Sequence, residues 1–169
     1  MLISISALLK KLFIFFFLSL GLTLYGTTYY VSTDGNDSNP GTFSSPWLTW
    51  QKAFNVAVAG DIVNIRGGVY YTAGILRSSV ITGVYVNGKN GTASNRITIQ
   101  AYQNEVPILD CSSMTGNAER LGISFSNCSY YTLTNLTVTG VSKIILPTNS
   151  TGLATGTLWN DAGAIRIKP

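Results

Sequence analysis

"YYVSTDGNDSNPGTFSSPWLTWQKAF", residues 29–54, decides how the chain is read. A dense run of turn-formers, from Asp34-Gly35-Asn36-Asp37 to Ser38-Asn39-Pro40-Gly41, leads straight into Trp47, Trp50 and Phe54. Such residues serve turns through backbone preference and short polar side chains, and they bury almost nothing. Two readings compete: a ligand loop beside an aromatic platform, or the start of a fold whose open end must be covered. The residues at the end of the stretch carry a helical period. Trp50, Ala53, Phe54, Ala57 and Val58 stand at i, i+3, i+4, i+7 and i+8, one apolar stripe. The spacing predicts a short amphipathic helix over residues 49–58. Thr49 can cap it, or Ser45 with Pro46 in the first helical position, and Gly60 supplies the stop.

After Gly60 the pattern changes to strands. Asp61 to Arg66 ends at Gly67-Gly68, and Ser79 to Val86 ends at the turn Asn87-Gly88-Lys89-Asn90-Gly91. Arg96 to Ala101 alternates, with Ile97, Ile99 and Ala101 on one face. No second helical period appears, so nothing supplies the crossovers of a βαβ fold.

The segment "GISFSNCSYYTLTNLTVTG", residues 122–140, says how the strands connect. Ile123 and Phe125 share a face, and Tyr131 and Leu133 continue the alternation. At Asn135 the phase slips by one, and Leu136 and Val138 take over the apolar positions. A one-residue slip turns every side chain outward unless the backbone bends there. Asn tolerates the left-handed conformation such a bend needs. One apolar interior is therefore served by two short strands meeting at a corner. "ITIQA" at Ile97, "ISFSN" at Ile123 and "IRIKP" at Ile165 repeat the signature, at intervals of 26 and 42 residues. This is the pattern of a solenoid with one long insertion, and an antiparallel sandwich of short strands is the competing fold. In a solenoid the first coil needs a cover, which gives the bulky helix its reason.

Composition bounds the rest. Of 169 residues 46% are hydrophobic and only 11% charged, against about 25% charged in ordinary globular domains. Net charge is +4, two of it from Lys10 and Lys11. The remaining basic residues are scattered singly, which excludes a nucleic-acid footprint. Those two lysines precede an apolar run from Leu12 to Leu24, the layout of a secretory signal over residues 1–26. A retained anchor is the alternative; no membrane association is expected after the signal is removed. In an oxidising compartment Cys111 and Cys128 are open to pairing or to burial as two free thiols. Two thiols and no histidine argue against zinc.

Residues 29–70 resemble the N-terminal signature of secreted right-handed parallel β-helix proteins of the pectate-lyase-like group, notably the ninth polysaccharide lyase family. The matching residues are Tyr30-Val31-Ser32, Asp34-Gly35, Asn39-Pro40-Gly41-Thr42, Pro46, Gln51-Lys52-Ala53, Gly60-Asp61 and Arg66-Gly67-Gly68-Val69-Tyr70. "SYYTLTNLTVTG" is similar to one of the family's rungs. The resemblance implies an all-β fold, a right-handed parallel β-helix with a short N-terminal capping helix. Residues 1–26 are then the signal, 27–60 the turn region and cap, and 61–169 the first rungs.

The resemblance also implies an acidic polysaccharide as partner and β-elimination on a uronate. Calcium held by clustered carboxylates would acidify the C5 proton, and a lysine or arginine would remove it. Those groups are expected on later rungs, and the chain is expected to be the N-terminal piece of a longer protein. A non-catalytic adhesive β-helix that binds glycans is the alternative function. A hydrolase of the polygalacturonase type needs paired acids, which the sequence does not supply.

Individual residues are weighed accordingly. Arg166 and Lys168 alternate outward on the apparent last strand, residues 164–168, and are the groove candidates for substrate. No metal site is assigned: Asp34, Asn36 and Asp37 have oxygens for calcium, but such clusters are far more often turn-formers. Arg66 is expected to pair with a carboxylate or carbonyl near the cap. Tyr29, Tyr30, Tyr70 and Tyr71 are expected to pack as aromatics under the cap, not to stack on sugars. Asn90, Asn127, Asn135 and Asn149 lie in glycosylation sequons.

Overall fold

The structure is a computed structural model that describes residues 26–116 and 119–142, together with the strands Leu158–Asp161 and Ala164–Ile167. The signal expected over residues 1–26 falls outside these but for Gly26. Among the described residues no helix is long and apolar enough to cross a membrane.

The chain circulates through three sheets. Strands β1 (Thr28–Val31), β2 (Ile62–Ile65), β6 (Ile97–Ala101) and β9 (Tyr131–Thr134) form one all-parallel sheet in that order. Strands β3 (Gly68–Tyr71), β7 (Pro107–Asp110) and β10 (Thr137–Thr139) form a second, also parallel. In the third, β5 (Val80–Asn87) pairs parallel with β8 (Glu119–Ser126), and the short β4 (Ile75–Arg77) pairs antiparallel on its edge. Each circuit visits the sheets in the same order and returns one strand higher. The parallel pairing excludes the antiparallel sandwich.

Register stacks like side chains into columns. Tyr29, Val63, Ile99 and Leu133 are partners across the first sheet, and Tyr70, Leu109 and Val138 across the second. Val63, Ile65, Ile97, Ile99 and Val84 are essentially inaccessible. Ile97, Ile99 and Ala101 share the buried face, as their alternation predicts. Leu133 points the same way as Ile99 beneath it, but it is exposed because β9 ends its sheet among the described residues. Asn135 has φ 57°, so the phase slip between β9 and β10 is made by a left-handed corner, as the sequence requires.

Helix α1 spans Trp50–Val56. Thr49 is the N-cap, its hydroxyl accepting from the Lys52 amide at 3.1 Å. The helix stops before Gly60, because Ala57 has already left helical geometry. Trp50, Ala53, Phe54 and Ala57 are all buried in the core, and the helix packs against β5 and β1. Val58, the last position of the expected stripe, lies past the helix end and is more than half exposed.

The turn-rich run is held in place by the aromatic stretch on its C-terminal side. Trp47 stacks on Tyr29 with ring centres 4.5 Å apart, and its indole N–H donates to the Asn39 carbonyl at 2.8 Å. Gly41 passes beneath that indole with φ 82°. A Cβ there would sit 2.5 Å from Trp47 Cε2, so both conformation and clearance demand glycine.

The strand expected over 164–168 is present as β12 (Ala164–Ile167), yet it does not extend the parallel sheets. It pairs antiparallel with β11 (Leu158–Asp161) in a separate two-stranded sheet. The hairpin thus supplies the last strand with a local partner that the repeat signature at Ile165 did not reveal.

Candidate functional site

Calcium chemistry would need carboxylate oxygens free to bind the ion. Asp37 Oδ1 accepts from the backbone amides of Leu48 and Thr49, both at 2.9 Å, and Oδ2 accepts from the Thr49 hydroxyl at 2.7 Å. Asp34 Oδ1 accepts from the Ser32 hydroxyl at 2.8 Å and the Thr33 hydroxyl at 3.2 Å, and these bonds hold its pKa below the usual value. Asn36 closes an Asx turn by accepting from the Ser38 amide. The cluster is thus a turn that fastens itself to the start of α1.

Asp61, read in the sequence only as part of the Gly60-Asp61 match, is buried. Its two oxygens receive the Thr27 amide at 2.7 Å and the Val58 amide at 2.9 Å, tying β1 to the helix exit. Asp110 accepts from the Ser112 amide at 2.8 Å. Among the described residues no three of His, Cys, Asp and Glu come together. Donors already committed to N–H and O–H groups do not suit a calcium ion, which takes six to eight oxygens. The described residues therefore do not fit the ion that the resemblance implies.

Arg66 has found a carboxylate, as expected. Its Nε lies 3.0 and 2.9 Å from the two Glu105 oxygens, and Glu105 Oε2 also accepts the Gly67 amide at 2.6 Å. The guanidinium hydrogen bond, then the Gly67 amide, pull the Glu105 pKa below its ordinary value. The guanidinium carbon lies 5.3 Å from the Phe43 ring centre and 5.1 Å from that of Tyr102. Tyr30 completes a three-ring cluster, 5.2 Å from Phe43 and 5.8 Å from Tyr102.

Nothing local in the sequence marks Glu105, Tyr102 or Phe43. The strand register would have found the first. Gly68 pairs with Pro107, and Arg66 and Glu105 stand two residues before them, one coil apart.

The other tyrosines divide. Tyr70 is buried under the helix, its hydroxyl donating to the Arg66 carbonyl at 2.7 Å, and burial raises its pKa strongly. Tyr71 and Tyr30 depart from the expected packing: Tyr71 points outward from β3 and is 72% exposed, and Tyr30 packs on the outer face against Phe43 and Tyr102. Beside Tyr71 a cleft of about 360 Å³ is lined by Leu48, Trp50, Val69, Thr72 and Ile75 among others, with no charged side chain on its wall. Cys111 is buried, Cys128 partly so, and the two are not bonded to each other. Arg166 lies on β12 with Trp159 as register partner. Its side chain, Lys168 and Asn149 are outside the described residues.

Strands paired in parallel within three sheets that the chain visits in turn define a parallel β-helix protein. The chain belongs to the Pel9A-like family, right handed beta helix region, whose sequence model matches residues 29–156. Pectate lyase PEL9 of Emericella nidulans is 33% identical over 98 residues, 58% of this chain and 22% of that protein. The uncharacterized protein YwoF of Bacillus subtilis is 34% identical over 94 residues, 56% of this chain and 18% of its own length. A crystal structure of pectate lyase Pel9A superposes with a TM-score of 0.50 at 19% identity, covering 66% of this chain and 28% of the other, a likeness of fold alone. The chain spans about a fifth of the length of the curated relatives it matches.

Proposed function

We propose that this chain is the N-terminal part of a secreted carbohydrate-active β-helix protein, a polysaccharide lyase that cleaves a uronate polymer by calcium-assisted β-elimination. In this reading residues 1–26 direct export, α1 covers the apolar end of the first coil, and the catalytic base and calcium site stand on coils outside residues 26–142. Arg166 and Lys168 stay as the candidates for substrate contact. Membership of the Pel9A-like family supports the carbohydrate-active class.

The observation that carries the division of labour is the use made of the carboxylates. Asp34, Asp37, Asp61, Glu105 and Asp110 each accept a backbone amide, a hydroxyl or a guanidinium. Elimination needs a base, a cation site and sugar subsites together in one groove. Groups that already hold the turns and coils together are not free for the second of these.

The test is ultraviolet absorbance of the unsaturated product on polygalacturonate, with calcium and with a chelator. It is run on the 169-residue chain and on the chain extended through its downstream reading frame. The extended protein should form product in a chelator-sensitive way, and the short chain should not. Product from the short chain would put the site within these first coils. An extended protein that binds the polymer without cleaving it would favour the adhesive alternative.

A further inference from the structure

The outer face of the four-stranded sheet carries a pattern that coil-building does not need. Val63, Ile65, Ile97 and Ile99 point inward, so the alternate residues point out. Tyr30, Asn64, Gln100 and Thr134 are register partners and form one outward row; Thr28, Ile62, Thr98 and Thr132 form the other. None of the eight is charged. Along the first row Gln100 Nε2 donates to Asn64 Oδ1 at 3.0 Å. That bond sets both amide planes; Asn64 is itself only 8% exposed, so the half-buried Gln100, with its Oε1 uncommitted, presents the pair to an outside partner. With strands spaced about 4.8 Å apart, the row extends roughly 14 Å.

At one end the row runs into Tyr30, Phe43 and Tyr102. Phe43 is 54% exposed although it makes ring contacts with both tyrosines. An aromatic surface beside fixed amides and hydroxyls is what a pyranose ring recognises: apolar C–H faces stack on the rings and equatorial hydroxyls meet the polar row.

Charge decides which sugar. Arg66 is balanced in charge by Glu105, both of whose oxygens meet its Nε. Arg96, at the opposite margin, is occupied with the Thr132 hydroxyl at 2.8 Å and the Tyr131 carbonyl. The aromatic end therefore carries no net positive charge to favour a carboxylate. We propose that the outer face of β1, β2, β6 and β9, with Tyr30, Phe43 and Tyr102 at its margin, is a docking surface for a neutral polysaccharide. It rests on the carbohydrate reading above and adds a second polymer class to it. The surface holds a neutral chain while uronate chemistry proceeds elsewhere.

Affinity electrophoresis of the 169-residue chain tests this in gels containing a neutral galactan, polygalacturonate or no polymer. Phe43→Ala and Gln100→Ala are run beside the wild type. Phe43 is exposed and Gln100 half-buried, and circular dichroism melting curves establish that the variants are folded. The neutral galactan should retard the wild type, and Phe43→Ala should bind about tenfold more weakly, the loss of one stacked ring. Gln100→Ala should weaken binding less. Retardation by galactan that neither folded variant changes would overturn the assignment of this face, and the carbohydrate reading would stand. Retardation by polygalacturonate alone would overturn the neutral specificity and again leave that reading intact. If neither polymer retards the wild type, the docking surface is wrong, while the lyase reading, whose site stands on other coils, is decided separately by the absorbance assay on the extended protein.

Discussion

Asp37 and Thr49 are joined twice, by the Thr49 amide to Asp37 Oδ1 at 2.9 Å and by the Thr49 hydroxyl to Asp37 Oδ2 at 2.7 Å. Thr49 in turn caps α1. The carboxylate thus orients the cap that orients the helix, and it reaches across eleven residues to do so. Asp37→Ala should leave the Leu48 and Thr49 amides unsatisfied and free the cap to rotate, at a cost of roughly 1–3 kcal/mol. Urea denaturation of the pair of proteins measures it. A midpoint shift equivalent to less than a few tenths of a kcal/mol would mean that water replaces the carboxylate without loss.

The helix tied down this way buries Trp50, Ala53 and Phe54. Phe54 is wholly buried and stacks 6.2 Å from Tyr131, and Trp50 lies 5.8 Å from Tyr70. Phe54→Ala and Trp50→Ala should each cost about 3–5 kcal/mol, the range for large aromatics removed from cores. Chemical denaturation with unchanged m-values would attribute the loss to packing. Unchanged stability in both variants would return the stripe to the surface.

What was legible in the sequence rests on periodicity. The period-two runs and the single 3.6-residue stripe gave the strands and the helix, because each element buries one face and its side chains report which. The corner at Asn135 was legible for the same reason, as a break in phase. The Arg66–Glu105 pair and the Tyr30–Phe43–Tyr102 cluster were not, since they join residues one coil or more apart, and coil length varies with the loops between sheets. The hairpin of β11 and β12 escaped because a short apolar alternation looks the same in a rung and in a hairpin. Tyr71 was misplaced for want of the register that sends Tyr70 inward and its neighbour out.

The Asn135 corner makes a stability prediction of its own. At φ 57° a β-branched residue is strained, whereas glycine is at ease. Asn135→Val should destabilise the chain by about 1–2 kcal/mol, and Asn135→Gly should stay within roughly 1 kcal/mol of the wild type. Thermal melts of the two variants decide it. Equal losses would show that the Asn side chain, and not the backbone conformation, matters at the corner.

Acid should weaken the fold through Glu105. The Arg66 guanidinium, and after it the Gly67 amide, favour the ionised carboxylate, so the folded pKa lies below the unfolded one. A group of that kind contributes its full stabilisation above the unfolded value, about 4.3 for glutamate, and loses it as pH falls through the folded value. Asp34 and Asp110 are shifted the same way, the first mainly by the Ser32 hydroxyl and the second mainly by the Ser112 amide. All three carboxylates therefore act in one direction, and stability should drop from about pH 4 downward. Glu105→Gln should be less stable than the wild type at neutral pH, because the ion pair is gone. Its Tm should then decline less steeply on acidification, and the two curves should converge. A residual slope is expected from Asp34 and Asp110. Melting temperatures measured from neutral pH to about pH 2 test the whole account: parallel curves for the two proteins would show that Glu105 titrates alike in the folded and unfolded chain, and that its contact with Arg66 holds no part of the coil together.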